Sequence, residues 1–174
     1  ANPFITNYEI RKEKNTAFSS KLFYKKLVGN IQLKWVTGFE YLRNRSAIDN
    51  YGNRNGQRDT VQYKDAVNAN QWFIFSQLNA TIGKFNFQLG MSCNEQYYAY
   101  KRLSDASFGN YKNASTTIVA TPRLAISYQL HKNVSVYGLV AKGFSPPTLA
   151  EIKPSDGNFY SDLKAEYGYN FEAG

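Results

Sequence analysis

The chain has 174 residues, a formal net charge of +8, one cysteine and one histidine. The single cysteine excludes an internal disulfide and a cysteine metal cluster, and no apolar run approaches the ~18 residues of a membrane-spanning helix. The cations are dispersed along the chain, and a dispersed charge is only weak evidence for nucleic-acid binding.

Apolar side chains at every second position recur from one end of the chain to the other. This spacing predicts β-strands with one apolar face, because successive side chains of a strand point to opposite sides. In chain order, the predicted strands lie near residues 3–11, 15–27, 30–44, 70–82, 85–100, 115–130 and 134–145, with an eighth beginning near 163. No segment shows the period of a helix.

The strand predicted at 85–100 has the clearest alternation. Its apolar side carries Phe85, Phe87, Leu89, Met91 and Cys93. Its other side is wholly polar or glycine, with Asn86, Gln88, Gly90, Ser92 and Asn94. This pattern predicts a sheet that separates an apolar phase from water, with the first set facing the apolar phase.

The connections between the predicted strands are of two kinds. Tight turns are predicted around Val28-Gly29, Gly83-Lys84 and His131–Asn133, and the second of these puts Ala80 opposite Phe87 and Leu78 opposite Leu89. The others are a short polar connection at Lys12–Lys14 and long loops at about 45–69, 101–114 and 146–162. Short turns at one end with longer loops at the other are typical of a transmembrane β-barrel.

Three classes of all-β protein compete at this point. Apolar and polar residues would also alternate along the strands of a soluble β-sandwich that binds carbohydrate or protein, and along those of a basic nucleic-acid-binding sheet. Strands of about 12–16 residues, against a mode of ~5–6 in globular proteins, favour the membrane wall. Aromatic residues near strand ends favour it too, since they would form an interfacial girdle; they are Phe39, Tyr41, Trp72, Tyr97, Tyr98 and Tyr100.

A series of short motifs occupies the last third of the chain. They are Pro122-Arg123-Leu124, Ser127-Tyr128, Val136-Tyr137, Lys142-Gly143-Phe144, Pro146-Pro147-Thr148-Leu149-Ala150-Glu151, Leu163-Lys164-Ala165-Glu166 and Tyr169-Asn170-Phe171-Glu172-Ala173-Gly174. In this combination the chain resembles the barrel of TonB-dependent outer-membrane receptors of the siderophore or iron-complex type. Ser145 and Ala165 stand where the family usually has arginine and proline, so the motifs do not identify a subfamily.

The resemblance implies a fold and a function. Residues 1–174 would form an antiparallel meander of about seven strands and the start of an eighth, within a barrel of 22 strands in the intact family. The plug domain, the TonB box and the remaining strands would lie outside this chain; a complete small eight-stranded barrel is the alternative. The structural motif residues would be Pro122, Arg123, Gly143, Phe144, Pro146, Pro147, Glu151, Glu166 and Gly174.

The function implied is import across the bacterial outer membrane. The ligand would be scarce, a ferric siderophore or similar iron complex or cobalamin, and the TonB-ExbB-ExbD complex would supply the energy through the plug. Lipid and lipopolysaccharide would surround the barrel. Neither a cofactor nor an enzymatic activity is expected, because no Ser-His-Asp order, HExxH, phosphate loop or CxxC motif occurs.

Ligand-binding candidates lie in the predicted extracellular loops, where tyrosines and cations occur together. They are Tyr51, Arg54, Arg58 and Tyr63, followed by Tyr97, Tyr98, Tyr100, Lys101 and Arg102. Ferric siderophores are often anionic and aromatic, so these side chains suit them. Alternatively, the tyrosines form the girdle and the cations contact lipopolysaccharide phosphates. His131 in a tight turn, and loop carboxylates such as Asp65 and Asp156, have no metal-ligand spacing.

The isolated chain is expected to self-associate. An arc of a wide barrel cannot close, so its two edge strands keep unpaired backbone groups. The predicted edges are the first strand, near Phe4 to Arg11, and the seventh, near Val134 to Phe144. Cross-linking or light scattering would detect the association, and a stable detergent-free monomer would contradict it.

Overall fold

The computed structural model describes residues 7–154 and 158–174. They form one antiparallel sheet of eight strands, and the predicted all-β meander is confirmed. The strands are β1 (Asn7–Val28), β2 (Ile31–Arg54), β3 (Gln57–Ile82), β4 (Phe85–Arg102), β5 (Lys112–Ser115), β6 (Val119–His131), β7 (Val134–Ser145) and β8 (Glu166–Ala173). Their spatial order is β1-β2-β3-β4-β6-β7-β8, with β5 paired to β4. A 3₁₀ turn (Ala106–Phe108) and the short helix α1 (Leu149–Ile152) lie in the connections.

Three two-residue hairpin turns lie at one end of the sheet. Ile82 pairs with Phe85 across Gly83-Lys84, and Gly83 has the positive φ of 56° that this turn needs. This turn is the predicted one, and the predicted cross-strand pairs of Ala80 and Leu78 are confirmed as well. The first turn is Gly29-Asn30, one residue later than predicted. The third is Lys132-Asn133, because His131 still pairs with Val134.

The charged segment Lys12–Lys14 is not a connection, contrary to the prediction. It lies inside β1, where Lys12, Glu13 and Lys14 pair in unbroken register with Ala47, Ser46 and Arg45. Charged residues on both faces are tolerated there because all three side chains are exposed. The start of the predicted first strand, with Phe4 and Thr6, lies outside the described residues.

The predicted long loop at 45–69 is also wrong, since β2 and β3 continue through it to a tight hairpin. Asn55 and Gly56 form its turn, with φ of 54° and 83° respectively. The predicted sites at Tyr51, Arg54, Arg58 and Tyr63 therefore lie on strands and not in a loop. The alternation fades in this region because both faces are polar, while the backbone pairing continues. The other two long connections are observed, interrupted by the 3₁₀ turn and β5, and by α1.

One face of the sheet is predominantly apolar at the end with the tight turns. Directly paired residues share a face, and the register places Trp35, Leu78, Leu89, Leu124 and Val140 in one row across five strands. Leu89 is 59% exposed and Leu124 51%. No second sheet covers this face in residues 7–154 and 158–174, so the two-layer packing of a β-sandwich is not observed there.

The height of the apolar band fits a bilayer. On β2 it runs from Ile31 to Tyr41, ten steps of ~3.3 Å each, or about 33 Å along the strand; a tilt of ~40° reduces this to about 25 Å of depth, the usual height of a barrel's apolar band. Aromatic residues lie at its far end, where the Phe18 and Phe39 rings are 6.3 Å apart and Trp72 donates a hydrogen bond to Glu95 at 2.8 Å. We call this end the aromatic belt. No helix in the described ranges is long and apolar enough to cross a membrane.

The edges of the sheet differ from the prediction at one side. β1 pairs only with β2, and β8 pairs only with β7, within the described ranges. The seventh predicted strand is therefore not an edge, because β8 covers it from Gly138 to Ser145. The described strands do not close on one another as a small eight-stranded barrel would. Self-association through the edges of β1 and β8 stays a prediction.

Gly38 on β2 allows a close approach on the polar face. A Cβ there would lie 2.6 Å from the Phe75 ring and 2.9 Å from the carbonyl oxygen of Ser20. We expect Gly38→Ala to destabilise the fold by about 1–3 kcal/mol, because the clash involves backbone as well as a ring. Urea unfolding of the folded protein in detergent measures this.

Gly90 on β4 is the matched control. It faces the same side, and a Cβ there would have no neighbour nearer than 3.8 Å. Gly90→Ala should therefore change the free energy of unfolding by less than about 1 kcal/mol. Equal losses for the two alanine variants would contradict the close packing of Phe75 against Gly38.

Candidate functional site

The buried core of the chain lies beyond the aromatic belt, at the end away from the tight turns. We call the polar face of the sheet the inner face. Here Tyr98 of β4, Ala114 of β5 and Ile152 of α1 are buried together, with Leu149 and Phe159 packed against them. The connection between β7 and β8 therefore folds back over the inner face of β3 and β4.

Local sequence fixes how this connection begins. Pro146-Pro147 follows β7 and cannot continue its backbone pairing. Thr148 caps α1, since its hydroxyl accepts a hydrogen bond from the Glu151 amide while the Glu151 carboxylate accepts one from the Thr148 amide. That backbone hydrogen bond, followed by the Thr148 hydroxyl, lowers the pKa of Glu151. The Tyr98 hydroxyl then ties the connection to β4 by donating to the Pro147 carbonyl at 2.6 Å.

Asp65 of β3 is the centre of a charged cluster on the inner face. It is 2% exposed, and its carboxylate lies 3.2 Å from Arg102 Nε and 3.7 Å from Lys153 Nζ. The Tyr100 hydroxyl donates to the same carboxylate at 3.2 Å. A buried carboxylate is tolerated only when it is paired in this way. Two cations therefore lie beside one buried carboxylate.

Aromatic rings cover both cations of the cluster. Arg102 lies over the Tyr63 ring at 5.0 Å, and Lys153 lies over the Tyr100 ring at 5.0 Å. The Tyr100 ring also stacks with Phe159 at 5.5 Å and contacts the Phe108 ring edge-on at 5.3 Å. Burial, followed by the nearby Asp65 carboxylate, raises the pKa of Tyr100 to about 12. Tyr100 therefore stays protonated at physiological pH and acts as a hydrogen-bond donor.

A cleft of about 530 Å³ opens beside this cluster. We call it the mouth cleft; its lining includes Glu9, Arg11, Tyr63, Asp65, Leu149 and Lys153. Arg11 contacts Glu9 at 3.1 Å and Glu13 at 3.9 Å. The cleft lining therefore offers one aromatic ring and two cations, Arg11 and Lys153, together with the carboxylates of Glu9 and Asp65. This set of groups can bind an anionic or aromatic ligand but has no nucleophile and base in contact.

The structure divides the predicted ligand residues between the two faces. Tyr63, Tyr98, Tyr100 and Arg102 come together on the inner face, around the cluster. The remaining predicted residues lie on the opposite face of the sheet or beside the Asn55-Gly56 hairpin turn. Arg58 lies over the Tyr51 ring at 4.9 Å, Lys101 approaches the Tyr111 ring at 5.9 Å, Tyr97 shares the face of Lys101, and Arg54 ends β2 beside the hairpin turn.

Asp65 and Lys153 are the residues that sequence reasoning missed. Asp65 falls in a stretch interpreted as a loop, where it has no visible partner. The Asn55-Gly56 turn was the available signal, because extending that hairpin puts Asp65 on a strand, where two register shifts bring it opposite Ile48. No local sequence pattern indicates the role of Lys153, since its contact with Asp65 depends on the fold of the β7–β8 connection.

No group of three or more potential metal-ligating His, Cys, Asp or Glu residues occurs in the described ranges. His131 ends β6 beside its tight turn, and Cys93 is free. Asp156, a predicted loop carboxylate, lies outside the described residues.

The motif residues of the last third lie in the strands and the connection that build this wall. Pro122 and Arg123 lie in β6, Gly143 and Phe144 in β7, Pro146, Pro147 and Glu151 in or beside α1, and Glu166 in β8. Gly174 continues the pairing of β8, since its backbone exchanges hydrogen bonds of 2.7 and 3.1 Å with Tyr137. These residues therefore lie in the strands and the connection that link the apolar band to the mouth cleft.

Residues 2–174 match the family model described as TonB dependent receptor-like, beta-barrel. Among solved structures, the chain is similar to the ferric citrate transporter FecA in its unliganded form, with a TM-score of 0.79 and 15% identity over 96% of this chain and 25% of FecA. The siderophore receptor PiuA from Acinetobacter baumannii gives a TM-score of 0.67 and 14% identity, over 94% of this chain and 29% of PiuA. The Ferric-Catecholate import receptor Fiu from K12 E. coli gives a TM-score of 0.65 and 16% identity, over 94% of this chain and 28% of Fiu.

These identities show a shared fold alone. The chain spans between a quarter and a third of the length of these receptors. A search of curated proteins finds no significant match to the sequence.

Proposed function

The chain belongs to the TonB-dependent receptor β-barrel family, and we propose that it forms part of the wall of an outer-membrane transporter for a ferric siderophore or similar iron complex. The family consists of transporters and not of enzymes. We propose that residues 1–174 form one part of the β-barrel domain. The plug and the other strands of the barrel would lie outside these residues. Energy would come from the TonB-ExbB-ExbD complex acting through the plug.

Membrane placement of the chain is supported by its two unlike faces. The apolar row of Trp35, Leu78, Leu89 and Leu124 would face lipid, while the inner face, with Gln88 and Asn79 hydrogen-bonded at 3.1 Å, would face a wet lumen. The tight turns would lie on the periplasmic side and the mouth cleft at the extracellular opening. The bacterial outer membrane is therefore the proposed location.

The observation that carries the ligand proposal is the cluster of Tyr63, Arg102, Asp65 and Lys153 beside the mouth cleft. It puts aromatic rings and cations on the lumenal side of the opening, where an incoming ligand would arrive. Ferric siderophores are often anionic and aromatic, so charge-assisted hydrogen bonds and ring contacts would suit them. The solved neighbours are named for ferric citrate, siderophore and ferric-catecholate transport.

We expect Arg11→Gln/Tyr63→Ala to weaken ligand binding by about 10-fold or more in the full-length receptor. The variant removes one cation and one ring from the cleft, and a hydrogen bond to a charged group contributes roughly 1.5–3 kcal/mol. Titration of the purified receptor with ferric citrate, a ferric catecholate and a ferric hydroxamate, followed by tryptophan fluorescence, measures the affinity. Added salt should weaken wild-type binding in the same direction.

Arg58→Gln/Tyr97→Ala is the matched control, because it removes the same two residue types outside the cleft. It should bind as the wild type does. Equal weakening by both double variants would contradict the mouth cleft as the binding site. Unchanged affinity in the cleft variant would leave the tyrosines as girdle residues and the cations as contacts to lipopolysaccharide.

A further inference from the structure

A second cleft lies on the inner face, nearer the aromatic belt than the mouth cleft is. We call it the lower cleft; it has a volume of about 260 Å³. Val67 lines the mouth cleft and Ala69 the lower cleft, so the two linings are one inward-facing position, about 7 Å, apart on β3. Leu149 of α1 lines both clefts. The two clefts are therefore neighbours on the lumenal side, with α1 at their boundary.

Neutral amides supply most of the polar groups of the lower cleft. The Asn44 amide donates a hydrogen bond to the Asn15 side chain at 2.6 Å, and the Gln96 side chain accepts one from the Tyr98 hydroxyl. Gln71 lies directly opposite Gln96, is half-buried, and forms no side-chain hydrogen bond within the described residues. A carboxamide has two donor hydrogens and an acceptor oxygen. Gln71 can therefore both donate to a ligand and accept from it.

The lower cleft offers no cation to an anionic ligand. Among the described residues, its lining contains no lysine or arginine, and Glu13 is its one charged side chain. Glu13 already lies 3.9 Å from Arg11 and accepts a hydrogen bond from the Ser46 hydroxyl at 3.4 Å. An anion that left water for this cleft would lose hydration without gaining a partner of opposite charge. The mouth cleft, by contrast, has Arg11 and Lys153 in its lining.

Apolar side chains complete the lining of the lower cleft. Leu42 is 43% exposed although it lies on the inner face, and Ala69 and Leu149 line the same cleft. These side chains can contact the carbon skeleton of a ligand while the amides contact its polar groups. The lining therefore favours uncharged groups that donate and accept hydrogen bonds.

We propose that the lower cleft is a second ligand subsite, which binds uncharged amide and hydroxyl groups of the transported iron complex. Such groups match the lining because they both donate and accept hydrogen bonds, as the carboxamides of the cleft do. The proposal rests on the iron-complex transport proposed above. It adds a substrate class, namely iron complexes that have no net charge and carry amide groups.

Two iron complexes of different charge test this subsite in the full-length receptor. One is a ferric trihydroxamate on a cyclic peptide, which is uncharged because three hydroxamate anions balance the ferric ion; the other is ferric citrate, an anion. Gln71→Leu should weaken binding of the uncharged complex roughly 2- to 12-fold, the range that one net hydrogen bond gives, and leave ferric citrate binding unchanged. Titration followed by tryptophan fluorescence measures both affinities.

Gln77→Leu is the matched control. It removes the same residue type from the same face of β3, at a position outside the lower cleft. This variant should bind both complexes as the wild type does.

Thiol labelling measures the charge preference of the lower cleft without any iron complex. Gln71→Cys and, in the mouth cleft, Ala150→Cys are each made in a Cys93→Ser background and treated with an uncharged and an anionic methanethiosulfonate. The ratio of the anionic rate to the uncharged rate should be roughly threefold lower at residue 71 than at residue 150. The reason is that Glu13 lines the lower cleft, whereas Arg11 and Lys153 line the mouth cleft.

Several results would overturn the second subsite. They are equal weakening of both complexes by Gln71→Leu, unchanged affinity for the uncharged complex, equal loss in Gln77→Leu, or binding of ferric citrate without binding of the uncharged complex. A cysteine at residue 71 that reacts with neither reagent, because another segment of the receptor fills the cleft, would overturn it too. Failure of the wild type to bind any iron complex would contradict the proposed function, and the labelling ratio would then decide the subsite.

Discussion

Leu89→Arg should destabilise the inserted barrel by about 2–4 kcal/mol, which is the cost of a cation near the middle of the lipid-facing band. Leu89 lies on β4 between Leu78 and Leu124 of the neighbouring strands and is 59% exposed, so no protein group would pair with the new charge. Urea unfolding of the full-length receptor in vesicles, followed by tryptophan fluorescence, measures the loss.

Gln88→Arg is the control at the adjacent position. Gln88 points to the inner face, where it hydrogen-bonds to Asn79 at 3.1 Å, and a cation there would meet water. We expect a cost below about 1 kcal/mol, chiefly from the lost hydrogen bond. Equal losses of folded barrel for the two arginine variants would refute the assignment of the faces.

Asp65→Ala should destabilise the inner-face cluster by about 2–4 kcal/mol. Removing one partner of a buried ion pair typically costs ~3–5 kcal/mol, and the figure is lowered here because Arg102 is 26% exposed and can reach water. Lys153 is 8% exposed and would lose its contact with the Asp65 carboxylate. We therefore expect α1 and its connection to detach from β3 before the membrane band unfolds.

Hydrogen exchange measures this local loss. The Lys153 amide, bonded to the Leu149 carbonyl at 2.8 Å, and the Tyr160 amide, bonded to the Ile152 carbonyl at 2.9 Å, should exchange about 30-fold faster or more. Asp59→Ala, at an exposed aspartate of the same strand, should leave both rates unchanged. Wild-type rates in the Asp65 variant would contradict the role of this carboxylate.

The membrane half of the fold could be predicted from sequence because its signals are local. Alternation from Phe85 to Cys93 reports the two environments of a single strand, and Gly83-Lys84 fixes its register to β3. The predicted family followed from motifs that lie in β6, β7, β8 and α1. These features depend on neighbours in the chain or on one adjacent strand.

Beyond the aromatic belt the strands could not be predicted from the sequence, for a physical reason. Both faces of β1, β2 and β3 are polar there, so pairing such as that of Lys14 with Arg45 leaves no period in the hydrophobic pattern. The strands were consequently interpreted as loops and a connection. The site itself combines Asp65 with Arg102 from β4 and Lys153 from the β7–β8 connection. Such long-range contacts have no trace in local composition.

A membrane wall would have lipid on one face of this sheet and water on the other. Spin labels at single cysteines from residue 86 to residue 91, in a Cys93→Ser background of the full-length receptor in vesicles, distinguish the two faces. We expect oxygen, which dissolves in lipid, to relax labels at 87, 89 and 91, and a water-soluble nickel complex to relax labels at 86, 88 and 90. Uniform access of the nickel complex along β4, without this period of two, would contradict a membrane wall.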